Sequence, residues 1–141
     1  MRLLTSHESV EWYTPPWLID RVREFLGVIS LDPASSKLPQ SWIKAERYFT
    51  AEQDGLSLDW HTEGKPTFVN PPYGKTNGKS NQAVWTEYIH KQYVKGHFVE
   101  GLVLINNTAG YKWFETFWER YATLCLRERL RFVNHEGRRA G

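Results

Sequence analysis

Phe68-Val69-Asn70-Pro71-Pro72-Tyr73-Gly74 is the stretch whose reading decides the fold. Apolar residues run into two prolines, neither of which has an N–H to give to a ladder, so a strand over Thr67-Phe68-Val69 has to stop at Asn70. Two readings of the turn are open. Pro-Pro and Tyr-Gly can simply punctuate the end of a strand, or a stiff turn can hold Asn70 and Tyr73 at a fixed offset for chemistry.

Upstream, Thr14-Pro15-Pro16-Trp17 reads as a helix start, with Thr14 as N-cap and the prolines in the first turn where their missing donors cost nothing. Leu18, Ile19, Val22, Phe25 and Leu26 recur at helical spacing, and Gly27 supplies the stop. A strand over Val28 to Leu31 then ends at Asp32-Pro33. Residues 34–66 are mostly polar; Ala45 to Thr50 offers a strand or short helix, and Asp54-Gly55-Leu56 a turn. Downstream, Gly74 to Asn81 reads as a mobile polar loop. Trp85, Tyr88, Ile89 and Tyr93 mark a helix that stops at Gly96. Leu102 to Ile105 is the continuous apolar run of a strand covered on both faces. Trp113, Phe114, Phe117, Trp118 and Tyr121 mark a last helix, and Leu124 to Val133 one or two strands.

Strands alternating with helices predict an α/β fold with a mostly parallel sheet and helices on both faces, one domain over residues 1–141. In such sheets ligands bind beyond the carboxyl ends of the strands. Asp32-Pro33 and Asn70-Pro71 both fall at strand ends and are expected to share one crevice.

Composition narrows the classes. A hydrophobic fraction of 40% and a charged fraction of 24% over 141 residues fit a soluble globular domain. No apolar run reaches membrane-spanning length and the N-terminus lacks a signal-peptide core, so the chain reads as cytoplasmic. Cys125, the only cysteine, sits between Leu124 and Leu126 and is expected to be a buried, inert thiol. The five histidines show no metal-ligand spacing, and no metal site is expected. Net charge is only +2, but Arg127, Arg129, Arg131, Arg138 and Arg139 crowd the end of the chain. They form either a phosphate-contacting edge or an ordinary solvated tail.

Asn70-Pro71-Pro72-Tyr73 resembles the signature loop of S-adenosylmethionine-dependent enzymes that methylate planar amino groups. Trp12-Tyr13-Thr14-Pro15, Leu31-Asp32-Pro33-Ala34 and Tyr48 to Leu56 add to it, and the pattern resembles the phage-type DNA N-6-adenine methyltransferase (phage Dam) family over most of the chain. The resemblance implies a Rossmann-like three-layer methyltransferase domain, minimal or C-terminally truncated because a further strand is expected past Gly141. It implies a phage or prophage protein acting on DNA in the host cytoplasm, with neither metal nor membrane. Asn70, Pro71, Pro72 and Tyr73 would be catalytic. Tyr13, Thr14, Pro15, Asp32, Pro33, Ala34 and Asp54 would border S-adenosylmethionine, with Thr14 and Pro15 near its methionine end. One departure from the wider superfamily stands out: Ser35-Ser36-Lys37-Leu38-Pro39 follows where a Gly-x-Gly cradle is usual.

The chemistry suits these residues. The adenine amine is a poor nucleophile because its lone pair is delocalised, and acceptors on its hydrogens, the Asn70 side-chain oxygen and the Pro71 carbonyl, would favour a pyramidal nitrogen. Tyr73 would stack on a base taken out of the duplex. RNA or protein-glutamine amino-methylation poses the same geometric problem and is one alternative; a non-catalytic nucleic-acid-binding relic of the fold is another.

Overall fold

The computed structural model describes residues 11–140. Its helices are α1 (Pro16–Leu26), α2 (Gln40–Ile43), α3 (Asn81–Val94) and α4 (Lys112–Arg120). Its strands are β1 (Leu31–Asp32), β2 (Arg47–Tyr48), β3 (Thr67–Val69), β4 (Lys75–Thr76), β5 (Lys79–Ser80) and β6 (Gly101–Val103). Four of them form a parallel sheet in the order β2-β1-β3-β6, with Leu31 paired to both Arg47 and Thr67, and Phe68 to Leu102.

The alternation of side chains in the short strands sorts the core into two layers. Phe68 packs with Ile19, Val22 and Leu26 of α1 and Ile43 of α2. On the other face Leu31 and Val69 pack with Trp60, Phe98, and Trp85 and Ile89 of α3. The chain leaves β1 through α2 to reach β2, and leaves β3 through α3 to reach β6 on the opposite side. The strand order therefore reverses between β1 and β3, and a crevice opens at the carboxyl ends of those two strands.

Several expectations are corrected. Thr14 is not the N-cap of α1; Pro15 holds that position and its carbonyl receives the N–H groups of Leu18 and Ile19 at 3.1 and 3.3 Å. The Thr14 hydroxyl is engaged elsewhere, by Asn70. Residues 74–81 are not an irregular loop but an antiparallel hairpin, β4–β5, turned by Asn77 and Gly78 at φ 51° and 75°. Positive φ at both central residues is the type I′ requirement that Asn-Gly meets. No strand forms over 124–133; Val133 alone makes isolated bridges, to Tyr13 and to Arg139. Cys125 is exposed rather than buried. Residues 102–105 are half-buried rather than covered on both faces, because among the described residues no strand lies beyond β6.

Candidate active site

A cavity of about 1200 Å³ occupies the crevice. That exceeds the ~300–1000 Å³ of a typical single-ligand pocket and suits two ligands side by side. Tyr13, Thr14, Asp32, Pro33, Ala34, Asp54 and the whole of Asn70 to Tyr73 line it. Pro15 does not; it is buried beneath the start of α1.

On the β1 side, Asp32 is 2% exposed. Gln40 Nε2 donates to its Oδ2 at 3.0 Å and to Ser35 Oγ at 2.8 Å, while Gln40 Oε1 receives the Ala45 N–H at 3.0 Å. One glutamine thus ties the loop after β1 to the entry of β2. Burial pushes the Asp32 carboxyl up to about 6, against hydrogen bonds from Ser35, Ala34 and Gln40 that pull it down. A carboxylate buried without a cation fits a positively charged ligand group.

The glycines missing from this loop are made good from another segment. A Cβ on Gly55 would lie 2.2 Å from the Pro33 carbonyl oxygen, so only glycine permits that approach. Trp60 Nε1 holds the Gly55 carbonyl at 2.8 Å. Asp54, just before it, adopts φ 53° and its Oδ1 accepts the Leu56 N–H at 3.1 Å. One of its oxygens is thereby committed to the local turn.

On the β3 side, Asn70 Nδ2 donates to Thr14 Oγ1 at 2.9 Å, and Asn70 Oδ1 is buried with no hydrogen-bond partner. Pro71 is fully buried and fixes the backbone beside it. Tyr73 is 37% exposed, and its ring meets Phe132 edge to face with centroids 5.5 Å apart. Burial of its hydroxyl raises the phenol to about 12, so it stays neutral. The loop is closed by Asn81, whose N–H and Nδ2 donate to the carbonyls of Gly74 and Tyr73, each at 2.9 Å.

The charge around the cavity is lopsided. Among the described lining residues Glu11, Asp32 and Asp54 are acidic, and Lys79 of the hairpin is the one base. An acidic interior favours a cationic ligand, and a lysine at the hairpin favours an anionic one.

A family model described as DNA N-6-adenine-methyltransferase (Dam) matches residues 4–140. The chain belongs to that family. No curated protein and no solved structure matches it. The Dam match runs from before the Thr14 segment to the tail that carries Phe132, so both walls of the cavity lie inside it. Among the described residues of this Dam protein no group of three or more His, Cys, Asp or Glu side chains could hold a metal ion. No described helix is long and apolar enough to cross a membrane.

Reading the sequence missed Gln40, Phe132, the Thr14–Asn70 bond and the reason for Gly55. Only the last had a local signal, an Asp-Gly pair that was taken for an ordinary turn.

Proposed function

We propose that the protein transfers a methyl group from S-adenosylmethionine to the exocyclic amine of adenine in DNA, on a Rossmann-like methyltransferase domain. The observation that carries this is the partnerless, buried Oδ1 of Asn70 at the end of β3, in the same cavity as Asp32. A buried acceptor without a partner costs about 1–3 kcal/mol, and a site that withdraws the amine's hydrogens gives it a use.

The cofactor fits the residues present. Asp32, Pro33 and Ala34 would hold it from the β1 side and Tyr13 from the other, with Gly55 letting the loops close around it. Asp54 has one oxygen free of the turn to accept a hydrogen bond from its adenine. When bound, S-adenosylmethionine supplies an already activated sulfonium methyl, which needs alignment rather than further activation.

The chain's own residues provide that alignment. Asn70 Oδ1 and the Pro71 carbonyl accept the two amine hydrogens and turn the nitrogen lone pair outward. Pro71 and Pro72 stiffen the acceptors so that little reorganisation is needed in the transition state. Tyr73, neutral and partly exposed, offers its ring face to the extruded base. Orientation of this kind is worth roughly 7–11 kcal/mol, and the mechanism needs no covalent residue.

The test is transfer of labelled methyl from S-adenosylmethionine to DNA in the presence of a chelator. Label on adenine N6 is the expected result; label only on cytosine, RNA or protein overturns the proposal. Calorimetric titration with S-adenosylmethionine separates an enzyme from a relic, which would show no binding.

A further inference from the structure

We infer that Thr14 is a positioning residue that decides which end of the Asn70 amide meets the substrate amine. The inference rests on the adenine-methylation reading. A side-chain amide carries one acceptor and one donor of nearly equal size, and nothing in its shape distinguishes them. Only the oxygen can draw on an amine hydrogen. An amide turned over would set its own NH2 against the substrate's.

The choice is made by whatever holds the other end. Asn70 Nδ2 donates to Thr14 Oγ1 at 2.9 Å, and Oδ1 is left as the unmatched acceptor. Thr14 is 2% exposed, so water competes little for this bond. Its backbone is braced on several sides. Trp42 Nε1 donates to the Thr14 carbonyl at 2.9 Å, and Tyr13 exchanges hydrogen bonds of 2.7 and 3.0 Å with Val133. Pro15 then restricts the Thr14 backbone, and its β-branched side chain is stiff about χ1. A hydroxyl on so firm a support selects one amide orientation across 56 residues of chain.

The experiment measures steady-state adenine methylation of a short duplex, with cofactor affinity by calorimetry and folding by thermal melting. Thr14→Val keeps the shape and removes the hydroxyl. It should lower kcat about tenfold or more, as misplacement of a reacting partner does, with KM for DNA within about twofold of wild type. Thr14→Ser should restore most of the loss, and Thr14→Ala serves where Thr14→Val does not fold. In an Asn70→Asp background both side-chain oxygens accept, so orientation no longer matters and the Thr14→Val penalty should shrink to about threefold or less.

Equal Thr14→Val losses in the two backgrounds overturn the inference, as does a loss confined to cofactor affinity, which would make Thr14 a cofactor contact. A wild-type protein that methylates no adenine in DNA overturns the underlying reading and the inference with it. An active wild type whose kcat survives Thr14→Val overturns the inference alone.

Discussion

After β1 the chain runs Asp32-Pro33, and after β3 it runs Asn70-Pro71, a polar residue and a proline at neighbouring ends of one parallel sheet. Both prolines are fully buried. Asp32 is matched on both oxygens, by Ala34 N–H at 3.4 Å and Gln40 Nε2 at 3.0 Å. Asn70 is matched on its nitrogen and bare on its oxygen. The same local device is therefore used in two ways. At β1 the network holds a carboxylate in place for a ligand charge, and at β3 it leaves an acceptor open for a reaction.

The sharpest way to break this contrast is Asn70→Ala. It should lower turnover about 10²- to 10³-fold, roughly 2.7–4 kcal/mol, with little change in cofactor affinity, read by steady-state kinetics and calorimetry. Near-normal turnover in a folded variant would reduce Asn70 to a turn residue.

The β1 end is tested by pH. The Asp32 carboxyl lies near 6 in the folded protein against an ordinary 3.8, so the folded state binds the extra proton between those values. The stabilisation from holding the neutral acid is fully present below about pH 4 and is lost as pH rises through 6. Over that window the loss is on the order of 3 kcal/mol at ~1.4 kcal/mol per unit. Asp32→Asn should remove this slope from the stability curve, measured by urea melts at successive pH values. An Asn variant that keeps the wild-type slope would show that Asp32 does not titrate as assigned.

Tyr73 and Lys79 sharpen the β3 side. Tyr73→Ala should weaken binding of an adenine-containing strand by about 1–3 kcal/mol, whereas Tyr73→Phe keeps the ring face and most of the activity. A Phe variant as weak as the Ala variant would mean that the hydroxyl is what matters. The smallest effect belongs to Lys79. Thr76 pairs with Lys79 and Lys75 with Ser80, so Lys79 shares the Thr76 face that lines the cavity and Lys75 points the other way. Lys79→Ala should reduce the slope of log affinity against log salt by about 0.9 on duplex DNA, the share of one phosphate contact. An unchanged slope would remove Lys79 from the interface.

How much of this was legible in the sequence follows the range of the interactions. Helix α1 and the strands before Asp32 and Asn70 are written in local spacing and in proline's missing donor, and the shared crevice follows from parallel topology. The Thr14–Asn70 bond joins residues 56 apart, and no local pattern encodes it. Gln40 acts through two side-chain contacts and a backbone one, which periodicity does not register. The β4–β5 hairpin carried its signal in Asn77-Gly78, yet its strands are exposed and so show no apolar alternation. Leu124 to Val133 has the composition of a strand but no ladder to join among the described residues; Leu124 is 89% exposed.

The parallel pairing of β1 with β3 also bears on how the protein comes into being. Thr67 Oγ1 donates to the Leu31 carbonyl at 2.7 Å across a sequence separation of 36 residues, and the chain visits β2 before returning. Such non-local pairing has to offset the entropy of a long closed loop before it is rewarded, which makes it a slow step. During synthesis Asp32 and its loop leave the ribosome well before Asn70 exists. The crevice is thus a late product of folding, and until β3 docks, the apolar residues of β1 and α1 lack their cover. That interval is when a chaperone has the most surface to hold.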